Sequence, residues 1–499
     1  MVSHTSPQQR CGLALDLDAL AKQEEEEEVD VQQLMPPHEW SAGFVVTYGA
    51  FFFSGASAIA MWSCITLCLD FFAQKYPTER VGFVFPVVNM STLLVISLYM
   101  IVAGRQLPLE TRMHGSLAAY LVLVLLLPLA NILEMPTVVA YTLTIMSLVG
   151  STICSSVMQS TMYGLGGVFG PVFLQAIEGG KGFGAILLFV IRLALKWHFR
   201  SHDEGADGSG AAQELYYAKL SMAVFFGVAF VIVATTWTLY TGMKYAEFAE
   251  PMLEEYLMVQ DETPINATLL LSTPLPSPTG SEPQFPTEQS PLLSNNVVWP
   301  REQIQRNEDA QAQAESEEEG LLLLREHATS ATLVNVLRTA AKPFFSLFLS
   351  FFVCLSCFPG LISAIPSTTY HLADWFPIVL VGCYNLGDLV GKNLPVYVMY
   401  FDVESLHLPW LLQVSFIPFF MAALVHPFAD LVTIVAVVFL GLVTGYVATA
   451  SMILAPSVCS EYQKEVAGMV GGLSAILGLC IGSYNGLALE MLIQLWTKT

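Results

Sequence analysis

Apolar runs of 18 residues or more recur along this chain, and such a run has few stable folds other than a helix crossing a bilayer. They fall at about 44–71, 81–104, 114–133, 137–165, 180–198 and 217–243, then at about 340–365, 373–397, 408–427, 429–454 and 466–494. The spacing predicts an all-α membrane protein with eleven transmembrane helices in a 6+5 arrangement. With 54% hydrophobic and 12% charged residues, the 499-residue chain lies outside the soluble globular range.

The segments around these runs differ in character. Residues 1–43 read as a disordered acidic cytosolic tail containing the unbroken run Glu24 to Glu28, and 44–243 carry helices 1–6. Residues 244–338 hold Pro264, Pro274, Pro276, Pro278, Pro283, Pro286, Pro291 and Pro300 among Ser, Thr, Gln and Glu, which predicts a disordered cytosolic loop that buries no core. Residues 339–499 carry helices 7–11. The net charge of -22 argues against nucleic acid as a partner. Basic residues at span ends (Arg105, Arg112, Lys181, Lys244, Arg338, Lys342, Lys392 and Lys464) favour a cytosolic N-terminus, with Arg192, Lys196 and Arg200 standing against it. The first 40 residues have no basic stretch leading into an apolar core, so the first span is expected to direct insertion itself.

Polar residues inside the spans carry the functional information. Asp388 and Lys392 stand four residues apart in WFPIVLVGCYNLGDLVGKNLP, on one helical face and about 6 Å apart in rise. A charge at the centre of a membrane helix costs at least about 2.5–3.5 kcal/mol, so these two must pair and face a bundle interior or a wet cavity. The pairing alone fits a structural salt bridge as well as a solute site. Gln159 is an amide among apolar neighbours, able to bind a ligand or to hydrogen-bond another helix. The glycines from Gly164 to Gly184 read mostly as close-packing positions. Cys354 and Cys357 form a CxxC in an apolar setting, with no second ligand pair to complete a zinc site. No nucleophile elbow, HExxH or Walker loop is present, so neither an enzyme nor an ATP-driven pump is expected, and no cofactor. Two halves around a central loop suit an alternating-access carrier.

The ordered motifs resemble those of the equilibrative nucleoside transporter family. Pro108, Arg112, Gly115 and Ser116 match the start of its third span, and Phe358 with Pro359 its seventh. Asn385, Asp388, Gly391 and Lys392 match the eighth-span Asn-x-x-Asp-x-x-Gly-Arg, with Lys in place of Arg. Gly445, Tyr446, Ala455, Pro456, Glu465, Ala467 and Gly468 follow its tenth and eleventh spans. The resemblance implies a major-facilitator-like bundle that carries nucleosides, sometimes nucleobases, without ATP. It implies that Asp388 accepts hydrogen bonds from ribose hydroxyls, that Lys392 holds Asp388 ionised, and that Gln159 reads the base edge. Trp62, Met90 and Leu93 would form apolar walls, while Arg112, Phe358, Pro359 and Asn385 are given gating or structural roles.

Two motifs depart from the family pattern. Met61-Trp62-Ser63 replaces Pro-Trp-Asn, and Lys392 is a point charge where the family has a planar fork. A carrier of nucleobases or organic cations and a non-transporting receptor or scaffold are the rival readings. The central stretch also holds two acidic dileucine-like runs, Glu288–Leu293 and Glu317–Leu322, which resemble signals for sorting adaptors, and a sequon at Asn266. A plasma-membrane location is expected, with an endosomal or lysosomal membrane as the alternative.

Overall fold

A computed structural model describes residues 41–257 and 332–496, apart from 80, 105–106, 134, 204–209, 255, 359, 373–374 and 461–462. The acidic tail, the sequon at Asn266, both dileucine-like runs and Pro359 lie outside the described residues. Among the described residues every regular element is helical. The first half comprises α1 (Ala42–Leu67), α2 (Leu69–Lys75), α3 (Val81–Ala103), a π turn (Thr111–Gly115) leading into α4 (Ser116–Ile132), α5 (Thr137–Phe169), α6 (Pro171–Asp203) and α7 (Gly210–Met243). The second comprises α8 (Ala341–Cys357), α9 (Gly360–Ser363), α10 (Phe376–Tyr397), α11 (His407–Val414), α12 (Phe416–Val425), α13 (Asp430–Ser457) and α14 (Lys464–Trp496).

Ten helical stretches are long and apolar enough to cross a membrane among the described residues. Their outer faces carry exposed Val95, Val122, Val231 and Val435, an apolar surface suited to lipid rather than water. Helix α10 is not among the ten. Its 22 residues suffice in length, but Asn385, Asp388, Lys392 and Asn393 dilute its apolar character.

Local chemistry sets several boundaries. Ser41 Oγ caps α1 by accepting from the Phe44 amide at 3.1 Å. Between α5 and α6 only Gly170 leaves the helix, at φ 109°, a conformation open to glycine, and Pro171 then begins the next helix. The sequence placed the fifth span at 180–198; the structure starts it at Pro171. Glu178, outside the expected span, therefore belongs to the same continuous helix as Lys181.

Close helix pairs depend on glycine. Cβ atoms at Gly387 and Gly391 on α10 would strike the carbonyls of Val438 and Leu442, and Cβ atoms at Gly441 and Gly445 on α13 those of Tyr384 and Asp388. Gly55 on α1 and Gly180 on α6 meet the same way against Ile177 and Phe52. One core gathers α1 and α4–α7, with Phe51, Tyr120, Met158 and Phe226 fully enclosed. Another gathers α8, α10, α12 and α13 around Val353, Leu380, Phe420 and Val437. The halves meet where α5 and α3 pack on α14, and where α6 packs on α10 and α13.

The stretch 244–338 was expected to bury no core, yet both of its described ends are helical. Ala249 and Tyr256 at one end and Val336 at the other are buried against the bundle. These ends retain apolar residues at helical spacing, unlike the proline-rich middle.

Candidate functional site

Tyr384, Asp388 and Lys392 recur every fourth residue on α10 and so share one face, and all three are buried. Lys392 Nζ lies 2.7 Å from Asp388 Oδ2. The same Nζ lies 3.9 Å from Glu178 Oε2 on α6, across the boundary between the halves. Glu178 Oε1 receives Lys181 Nζ at 3.2 Å and the Tyr163 hydroxyl of α5, and Lys181 also donates to that hydroxyl. Lys181 Nζ sits 4.7 Å from the centre of the Tyr163 ring. Gln159, one turn earlier on the same face of α5, is half-buried. A chain of polar groups thus runs from Tyr163 to Asp388.

Glu178 is 1% exposed, Asp388 and Lys392 6% each, and Lys181 9%. Two carboxylates and two ammonium groups balance one another. That balance matters because removing one partner of a buried pair costs about 3–5 kcal/mol. Glu178 Oε2 is buried and makes no hydrogen bond.

Around this cluster, Tyr48 donates to Gln175 Oε1 at 3.2 Å, and Gln175 Nε2 donates to Asn393 Oδ1 at 2.6 Å, giving α6 and α10 a second polar contact. Phe358 stacks on Tyr384 with ring centres 4.0 Å apart, and the Tyr384 hydroxyl meets Cys354 Sγ at 2.8 Å. The predicted residues separate accordingly. Asp388 and Lys392 join one network, Gln159 lies one turn before its Tyr163 end, and Phe358 stacks on Tyr384. Asn385 is half-buried on α10, one turn before Leu389, which lines Gly182 of α6. Trp62 on α1 and Met90 and Leu93 on α3 are half-buried or buried; among the described residues, no hydrogen bond or ion pair joins their side chains to the charged cluster.

Arg112 lies elsewhere. It is 2% exposed at the start of the fourth helix, and its Nη2 donates to the Tyr256 hydroxyl at 3.0 Å. That hydroxyl donates in turn to Glu465 Oε1 at 2.9 Å. Arg112, Lys181 and Lys392 are therefore buried groups with partners, not markers of a water-facing span end.

Sequence reasoning missed Glu178, Lys181, Tyr163 and Tyr256. A signal existed for the first two: an acid and a base three residues apart in an apolar helix, the same pattern that singled out Asp388 and Lys392. Beginning the fifth span at residue 180 hid it.

The sequence profile of the nucleoside transporter family matches residues 145–490. The chain belongs to that family. Within the matched stretch of this nucleoside transporter family member lie Gln159, Glu178, Lys181, Asp388 and Lys392, whereas Trp62, Met90, Leu93 and Arg112 precede it. "Equilibrative nucleotide transporter 8" of Arabidopsis thaliana is 21% identical over 464 residues, spanning 92% of this chain and 98% of the relative. "Adenosine transporter 1" of Crithidia fasciculata is 24% identical over 503 residues, spanning 90% of this chain and 95% of the relative. Among solved structures, FucP, a Major Facilitator Superfamily transporter in the outward conformation, aligns with 91% of this chain and 98% of its own. Its identity is 14% and its TM-score 0.47. As a member of the nucleoside transporter family, the protein is a multi-pass membrane transporter rather than an enzyme.

Proposed function

We propose that this protein is a nucleoside carrier that works by alternating access without ATP. The observation that carries the reading is the buried Asp388–Lys392 pair at the contact between the two halves, inside the stretch matched by the family. Helix α10 serves as the eighth of eleven spans in a 6+5, major-facilitator-like bundle. Its charges find their partners in the bundle, which is what a polar span requires. The N-terminus and the long central loop are cytosolic.

Asp388 accepts hydrogen bonds from ribose hydroxyls. A carboxylate suits that role because charge-assisted hydrogen bonds are roughly twice as strong as neutral ones. Lys392 keeps Asp388 ionised and lies within reach of the solute. Gln159, one turn from Tyr163 on α5, reads the base edge, and Trp62, Met90 and Leu93 form apolar walls. Arg112 acts at the inner gate, while Phe358, Pro359 and Asn385 set hinge geometry. Because both acids of the cluster, Glu178 and Asp388, already have an ammonium partner, the cluster favours a neutral solute over an organic cation. The plasma membrane is the proposed location, and the dileucine-like runs are proposed contacts for sorting adaptors.

Uptake of labelled adenosine and uridine into liposomes holding the purified full chain tests the reading, with AMP and adenine as comparison solutes. Saturable uptake of both nucleosides is expected. Absence of saturable nucleoside uptake by correctly inserted protein overturns it.

A further inference from the structure

Glu178 presents an incompletely used carboxylate. Its Oε1 is engaged by Tyr163 and Lys181, whereas its buried Oε2 has no hydrogen-bond partner. An orphaned buried acceptor costs about 1–3 kcal/mol, more when charged, so a native structure that keeps one calls for an explanation. The nearest cation across the boundary is Lys392, at 3.9 Å from that oxygen but 2.7 Å from Asp388. Lys392 thus stands between two acids, bonded to the one on its own helix and slightly beyond bonding distance from the one on the other half.

We propose that Glu178 is the acceptor to which Lys392 passes when solute engages Asp388, and that this transfer draws α6 and α10 together. The proposal rests on the reading of Asp388 as a solute-binding acid. Hydroxyl donors arriving at Asp388 supply hydrogen bonds that Lys392 supplied before. The ammonium then loses little by turning toward Glu178 Oε2, which gains its missing partner. Because donor and acceptor lie on different halves, the bond forms only if the halves close at this level. Solute thereby interacts differently with the open and closed arrangements, the condition any ligand must meet to shift a conformational equilibrium. Gly179 and Gly182 bring α6 close to Asn393 and Leu389 on either side of Lys392, so only a small movement separates Lys392 from Glu178. Glu178 is accordingly a positioning residue that acts through Lys392. Lys181 and Tyr163 fix its carboxylate so that Oε2 faces the other half.

The test uses the full chain carrying E178Q/K181Q, which removes one acid and one base and keeps the remaining pair balanced, and separately E178D. Uridine binding to purified protein and the concentration dependence of uridine influx into liposomes are measured together. The double variant is expected to bind uridine within threefold of wild type while its maximal influx falls tenfold or more. E178D, which keeps the charge on a shorter arm, is expected to fall between them. Wild-type influx in the double variant overturns the proposal, as does a loss of affinity as large as that of D388N. Should the double variant not fold, E178D decides alone: its maximal influx must fall at least threefold with affinity held, and an unchanged rate overturns the proposal. If wild type neither binds nor carries uridine, the carrier reading has failed, and hydrogen exchange of the ligand-free protein decides the role of Glu178. Peptides covering 171–184 and 387–397 are then expected to exchange at least threefold faster in the variant, with 116–132 unchanged. No difference at that seam overturns the proposal.

Discussion

The hydroxyl of Tyr256 donates a hydrogen bond to Glu465 Oε1 at 2.9 Å, tying the segment after α7 to the foot of α14. The same hydroxyl accepts from Arg112 at 3.0 Å, so one phenol links both halves of the bundle and the beginning of the central stretch. Burial, and after it the negative charge of Glu465, push this phenol above its ordinary pKa and keep it a neutral donor. Y256F keeps the ring and removes both bonds, so buried Arg112 and Glu465 each lose one hydrogen bond. The expected loss is about 1–3 kcal/mol, read as a lowered thermal unfolding midpoint in detergent. Because the folded pKa is raised, the phenol's contribution is fully present below about 10 and is lost as pH rises through the folded value. The gap between wild type and Y256F is therefore expected to hold at neutral pH and to narrow only in strong alkali. A gap unchanged in strong alkali would count against this linkage.

Asp388 provides a direct test of solute recognition. Hydrogen bonds to a charged group are worth about 1.5–3 kcal/mol, so D388N is expected to lower ribonucleoside uptake by about 10–100-fold. A nucleobase lacking ribose is expected to lose less. D388N also strips Lys392 of its 2.7 Å partner, so D388N/K392Q, which removes both charges, separates loss of binding from loss of folding. Equal losses for nucleoside and nucleobase in well-folded protein would assign the pair a purely structural role.

The α10–α13 contact tolerates no added side chain. G391A and G445A place a methyl against the carbonyls of Leu442 and Asp388, and each is expected to cost about 1–3 kcal/mol of stability. At Gly227 on α7 a methyl group would meet nothing within 4 Å, so G227A is expected to be neutral or to stabilise by about 0.5–1 kcal/mol. Unfolding midpoints of the three purified variants check the contrast.

Orientation is testable at Asn266. With the central loop cytosolic, the sequon is expected to stay unmodified, and protease added to the cytosolic face of sealed vesicles is expected to cut within 258–331. A glycan at Asn266, seen as an endoglycosidase-sensitive mass shift, would reverse the topology.

Local order alone made part of this protein legible. The lengths of the apolar runs imply membrane helices, and the four-residue spacing of Asp388 and Lys392 puts them on one face of a helix, where they pair. The glycines announced close packing because a missing side chain is itself a local property. Other features had no local signature. Nothing near Glu178 in sequence indicated that it faces Lys392, and nothing near Tyr256 indicated a partner 209 residues away. Which acid faces Lys392, and which hydroxyl bridges Arg112 to Glu465, depends on how far each helix is rotated and how closely it approaches its neighbour. Those quantities follow from the packing of many side chains together, whereas hydrophobic periodicity specifies only the existence of a helix and the face it buries. The sequence by itself therefore determined a membrane bundle with one costly charge pair. Only the tertiary structure decided that the pair is half of a four-charge cluster joining the two halves.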